Sequence, residues 1–194
     1  MHRPLPDRSQ AGFGLIEALV TLIVLLVGLL GPVGLLLASQ RAEIESYQRA
    51  QALILLQDMV DRINANHSAA GCYAVTTDTV NGLPYLGTGA AAAPACALGT
   101  IQAYTLANSD LAAWSNLLAG AAESTSAGNS GAMIGARGCV SFDAASGIYL
   151  VSVAWQGKGK TAAPTAGLGC GKGQYGEEAR RRVVSTTLQI ANLN

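Results

Sequence analysis

Polar and apolar positions divide the chain into stretches of different period. Residues 11–39, AGFGLIEALVTLIVLLVGLLGPVGLLLAS, are apolar on every side and hold one charge, Glu17. A run of that length crosses a bilayer as a helix. Residues 40–66, QRAEIESYQRAQALILLQDMVDRINAN, contain no Gly or Pro. Ile44, Tyr47, Ile54, Met59 and Ile63, with Leu53, Leu55, Leu56 and Val60, form a stripe at three- and four-residue spacing. This pattern predicts an amphipathic continuation of the same helix. Glu45 with Arg49 and Asp58 with Arg62 stand four apart on its wet face. Stop signals fall at 66–71. One helix over 13–66 is therefore predicted, about 80 Å long at 1.5 Å per residue. Pro32, inside the apolar half, predicts a kink or local melting. Gly31 and Gly34 leave room for a neighbouring helix, although small residues are common in membrane helices in any case.

After residue 66 the period changes. Short strands are expected at 72–77 and 100–106, with an Ala/Gly/Pro-rich loop at 87–99. A short helix is expected at 110–120, capped by Asn108 or Ser109 and ended by Gly120. Residues 121–131 read as a polar linker. Strands at 138–142 and 148–155 are joined by a five-residue hairpin loop, 143–147. A second Gly-rich loop, 156–176, leads to a last strand at 183–190. The resulting class is α+β: one long N-terminal helix on a small antiparallel sheet, with long Gly/Ala-rich loops.

Composition narrows the function classes. The 194 residues suffice for one membrane segment and one modest domain. Net charge is zero and 12% of residues are charged, so no basic field holds nucleic acid. Half the residues are apolar, many of them Ala, and aromatics make up 5%, which predicts a small core. Arg3 and Arg8, partly offset by Asp7, precede the apolar run, whereas Glu43 and Glu45 balance Arg41 after it. That asymmetry favours a cytoplasmic N-terminus and an exported C-terminal domain. An ordinary signal peptide is disfavoured, because residues 37–39 match a cleavage site poorly and the run is long.

Cys72, Cys96, Cys139 and Cys170 all follow the apolar run, in keeping with an oxidising compartment. Without a CxxC pair they suit neither a redox centre nor a zinc ribbon. Four cysteines permit three pairings. The neighbouring pairs, 72–96 and 139–170, are preferred because each ties a Gly-rich loop to a strand end. Each closure contributes on the order of 3–4 kcal/mol in the chain-entropy picture.

Catalytic patterns fail on context. Residues 171–176 match GxGxxG, but no strand precedes them and no chain remains for a ribose-binding acid. Lys172 sits in no phosphate loop, and a hydrolytic triad has only His67 as a base. Arg180, Arg181 and Arg182 lie beside Glu177 and Glu178 and read as a solvated, self-compensating strand start. No enzyme activity, cofactor or metal is expected.

The polar leader 1–12, the Gly12–Phe13 junction and the acid at Glu17 resemble the prepilin signature of type IV pilins and type II secretion pseudopilins. With SYQRAQALILLQDMVDRINAN and DLAAWSNLL added, the chain resembles the minor pilin family PilV. The resemblance is strong over 12–66, moderate over 108–118 and loose beyond. Gly14 stands where many relatives carry Thr, and Pro32 departs from the usual GLLG-L-A run; neither touches the cleavage or assembly residues.

The resemblance implies a leader over 1–12, a transmembrane half-helix over 13–38, an amphipathic half over 39–66 and a periplasmic domain over 67–194. Prepilin peptidase would cut between Gly12 and Phe13 and methylate the new amino group of Phe13. Gly12 suits an extended fit in a protease cleft. Glu17 would face an amino terminus, its own or another subunit's; an acid at membrane depth costs roughly 2.5–3.5 kcal/mol and calls for a partner. Implied partners are prepilin peptidase, the major pilin, other minor pilins and the inner membrane, without nucleic acid. The implied function is a minor pilin that primes or supports pilus assembly. A type II secretion pseudopilin is the alternative, and an adhesin or DNA-uptake pilin is a second one that lacks a recognisable exposed site.

Overall fold

The computed structural model describes residues 14–121, 124–125, 128–129 and 133–190. Its contacts divide the chain into two units, Met1–Glu43 and Ile44–Asn194. Helix α1, Leu15–Ala65, is continuous through Pro32, so the local melting expected there is absent.

In the second unit the buried face of α1 carries Gln48, Ala52, Leu56, Met59, Ile63 and, just past the helix end, Asn66. These positions keep the helical period, but they correct the predicted stripe. Ile44, Tyr47, Leu53 and Ile54 are exposed at 38%, 51%, 48% and 62%. The packing partners select the face: small Ala52 is fully buried, whereas four larger side chains are left outside. The expected Glu45–Arg49 pair is also corrected, because Glu45 meets Arg182 at 2.8 Å. Asp58 and Arg62 do pair, at 2.9 Å.

Two predicted strands do not form. Residues 72–77 are no strand: a 3-10 turn, His67–Tyr73, occupies their start and buries Cys72 and Tyr73. Residues 100–106 open helix α2, Ile101–Leu118, whose N-cap Thr100 accepts the Ala103 N–H. Ala103, Ala107, Leu111, Trp114 and Leu118 are buried at steps of four and three. Two of those five are alanines, so the hydrophobic signal of the first turns is faint. Asn108 caps nothing; its amide accepts the Cys96 N–H and donates to the Cys96 carbonyl, both at 3.0 Å.

The main sheet comprises β1, Leu86–Gly87; β4, Arg137–Asp143; β5, Ile148–Gln156; and β6, Arg181–Gln189. Their order is β1-β4-β5-β6, with every pair antiparallel. Two-residue strands β2, Ser124–Thr125, and β3, Gly128–Asn129, pair within the segment expected to be linker. The β4–β5 loop is held by Asp143, whose carboxylate accepts the Ser146 hydroxyl at 2.6 Å and the Ala145 N–H at 3.1 Å.

Strand alternation sends Val140, Tyr149, Val151, Val153, Trp155 and Val184 into one core with α1 and α2. Trp114 is its centre, fully buried, with its indole N–H donating to the Leu55 carbonyl at 2.8 Å. The ring lies so close to β4 that a Cβ on Gly138 would fall 2.2 Å from it. One side chain thus joins α1, α2 and the sheet.

The opposite sheet face is covered by the loop before β6. Cys139, Ala154, Cys170 and Tyr175 form a small second cluster there. Disulfides link Cys72 to Cys96 and Cys139 to Cys170. Gly171, Gly173 and Gly176 each have positive φ, between 67° and 75°. Those left-handed turns account for the GxGxxG spacing without a nucleotide. The triple-arginine reading needs correction as well. Arg181 is 3% exposed; it pairs with Glu178 and donates to the carbonyls of Leu168 and Cys170. The strand start is charge-compensated, as expected, but its Arg181 is buried and not solvated.

A polar network fastens the end of α1. Arg62 reaches Asp110 of α2 at 2.7 Å while holding Asp58, and the Tyr73 hydroxyl donates to the other Asp110 oxygen at 2.6 Å. The Asn66 amide donates to the Ala103 carbonyl at 2.8 Å and to the Tyr73 hydroxyl at 3.2 Å. Burial, then the bond to Asp110, pushes the Tyr73 phenol above its ordinary value of 10.0. A raised folded value means that this contribution is complete below pH 10 and is lost as pH rises beyond it. Urea unfolding of the detergent-solubilised chain is expected to show falling stability from pH 9 to pH 11. Tyr73→Phe is expected to be less stable at pH 9 but to show a shallower slope. An unchanged slope would remove Tyr73 from the linkage.

Candidate membrane-anchoring and assembly site

The first turn of α1 is built on Gly14, whose carbonyl accepts the N–H groups of Glu17 and Ala18 at 3.0 and 3.2 Å. Glu17 therefore stands at the helix N-terminus, where the backbone dipole favours a negative charge. Beyond it, large apolar side chains face outward: Leu15, Ile16 and Leu35 are 86%, 77% and 75% exposed. The helix is long and apolar enough to cross a membrane. Inside this stretch Thr21 satisfies its own hydroxyl on the Ala18 carbonyl at 2.9 Å. Glu17 is different: among the described residues, no group bonds its carboxylate. A Cβ on Gly28 or Gly34 would meet nothing within 4 Å, so both leave the helix surface open to a neighbour.

The cleavage and methylation residues, Gly12 and Phe13, lie outside the described residues. Cys72, Cys96, Cys139 and Cys170 are placed far along the chain from Glu17 and serve the second unit alone. Among the described residues no group of three or more His, Cys, Asp or Glu could hold a metal ion.

Three features of the second unit escaped sequence reasoning. Gln48 is buried at 1% exposure on α1. Arg137 lies between the rings of Tyr85 and Tyr175, 5.1 and 5.0 Å from their centroids. The Asp110 network joins residues that are separated by up to 48 positions. Only the network left a trace in the sequence, as the Asp58, Arg62 and Asn66 positions of DMVDRINAN.

Residues 7–31 match the prokaryotic N-terminal methylation motif. No curated protein and no solved structure matches the chain significantly. The motif, the one apolar helix long enough to span among the described residues and the α+β domain after it support a type IV pilin-like chain, pilin or pseudopilin, anchored in a membrane by one span.

Proposed function

We propose that the chain is a minor pilin that primes or supports assembly of a type IV pilus and acts through protein contacts alone. The observation that carries this is the lone Glu17, in the first turn of an apolar helix whose start is covered by the methylation-motif match. In this reading residues 1–12 are the leader and prepilin peptidase cuts between Gly12 and Phe13. The enzyme then methylates Phe13, and residues 67–194 form the periplasmic domain. Glu17 pairs with an amino terminus in the assembly. Chains with this motif are structural, and no catalytic role is assigned. The extended polar network at Asp58, Arg62 and Asn66 supports the minor-pilin reading over the secretion pseudopilin, because it rests on the segment that most resembles PilV.

Processing gives the direct test. Intact-mass spectrometry of the membrane fraction is expected to show a mature chain that begins at a methylated Phe13. Gly12→Val is expected to leave full-length precursor in the membrane, since a branched side chain obstructs the cleft that glycine enters. A wild-type N-terminus after Ser39 would overturn the reading. Pili and secreted enzymes measured in a deletion strain then separate a pilus subunit from a secretion pseudopilin.

A further inference from the structure

β6 is the free edge of the main sheet. The Gly157 N–H donates to the Arg180 carbonyl at 2.8 Å, which fixes the phase of the β5–β6 ladder. By antiparallel alternation, Arg182, Val184, Thr186 and Leu188 turn their backbone groups toward β5. Val183, Ser185, Thr187 and Gln189 turn theirs outward. Among the described residues none of these four is bonded by backbone beyond the sheet.

Natural edges are blunted by shortness, bulges, prolines or charge. β6 has nine residues and pairs without a bulge from Gln156↔Arg181 to Ile148↔Gln189. Its run 183–190, VVSTTLQI, holds no charge, Pro or Gly. The other edge is treated differently. There β1 pairs with Arg137 and Gly138, and Thr76 bonds both the carbonyl and the N–H of Val140.

An open groove of about 310 Å³ flanks β6, lined by Glu45 and Arg49 of α1 and by Trp155, Arg182 and Val184 of the sheet. Glu45 is engaged by Arg182. Arg49 is exposed and has no ion-pair partner among the described residues. The groove thus carries one uncompensated cation above a wall of mixed apolar and polar character. A strand laid on β6 would turn alternate side chains into it, with main-chain bonds giving affinity and the groove giving selectivity.

We propose that β6 is completed in the assembled state by an extended segment of a different chain, one that carries an Asp or Glu to meet Arg49. A second copy of β6 does not fit, because its only charged residues are Arg181 and Arg182. The inference rests on the strand itself and holds whether the chain serves a pilus or a secretion machine.

The test places the photo-crosslinker p-benzoylphenylalanine at Thr187 of the full-length chain in its native membrane. Irradiation is expected to join it to another protein, at an extended segment containing an acidic residue. Ser185→Pro is expected to cut the yield tenfold or more. It removes an outward N–H and leaves the β5 ladder intact, so its thermal unfolding should stay close to that of the wild type. Arg49→Glu, at an exposed helix position remote from the core, is expected to cut the yield similarly. Reversing the partner's acid to Arg should restore it. Absence of a crosslink, a crosslink only to a second copy, or yields unmoved by both variants would overturn the proposal.

Discussion

Trp114→Ala is expected to destabilise the second unit by about 3–5 kcal/mol, the range for deleting a large buried aromatic. That is a large share of the roughly 5–15 kcal/mol that holds a typical domain together. The ring is fully buried and its N–H is bonded to the Leu55 carbonyl, so truncation opens a cavity and removes a tie between two helices. Its seat on Gly138 supplies an independent check. Gly138→Ala drives a methyl into the ring and is expected to cost about 1–3 kcal/mol as overpacking. In the Trp114→Ala background the methyl no longer meets the ring, only the end of the Leu118 side chain, so the two losses should fall short of their sum. Urea unfolding of the four detergent-solubilised proteins measures this. A Trp114→Ala loss under about 1 kcal/mol, or strict additivity, would show that the ring does not organise the core.

Glu17→Ala is expected to be synthesised, cleaved and held in the membrane, yet to fail in assembly when it replaces the wild type. Removing the acid makes insertion easier, by roughly 2.5–3.5 kcal/mol at most, so defective targeting cannot be the cause of a loss. What disappears is the carboxylate that, in the proposed reading, meets an amino terminus. Glu17→Gln keeps the shape and hydrogen-bonding capacity without the charge, and it should fail too if the contact is an ion pair. The second unit should be untouched, since both disulfides lie within it. Pilus shearing and co-purification with other pilus subunits give the readout. Wild-type assembly of both variants would remove Glu17 from the contact.

The long-range plan of the fold was legible because its signals are strong and local. The apolar run, the Gly- and Pro-free continuation, and the two β-branched strands around the 143–147 loop each carry a clear period. At 100–106 the ambiguity is that alanine is compatible with either state. The aromatic and β-branched residues there suggested a strand, whereas Thr100 capping and burial of Ala103 and Ala107 made a helix. On α1 the count of large apolar residues chose a stripe that packing then rotated toward Gln48 and Ala52. Burial of Arg181 is not legible in sequence because its ligands include backbone carbonyls of the preceding loop, and carbonyls leave no pattern in the residue types. Of the candidate assembly site, Glu17 stands out in the sequence by charge alone. The open β6 edge does not, since exposure of a strand depends on the order of the sheet.

The Cys72–Cys96 bridge has a mechanical meaning. Tension entering the second unit along α1 first meets the lateral ties to Leu55, Arg62 and Asn66. If these yield, the pull passes through the turn after Ala65 and reaches Cys72, where a covalent bond diverts it to Cys96. The residues between the two cysteines are then bypassed and cannot be drawn out. Load continues from Cys96, itself clamped by Asn108, into the start of α2 at Ile101. The pulled helix is thereby coupled to a second helix through the bridge, so the extension available before α2 is loaded is set by residues 66–72 and 96–100 instead of the whole of 66–100.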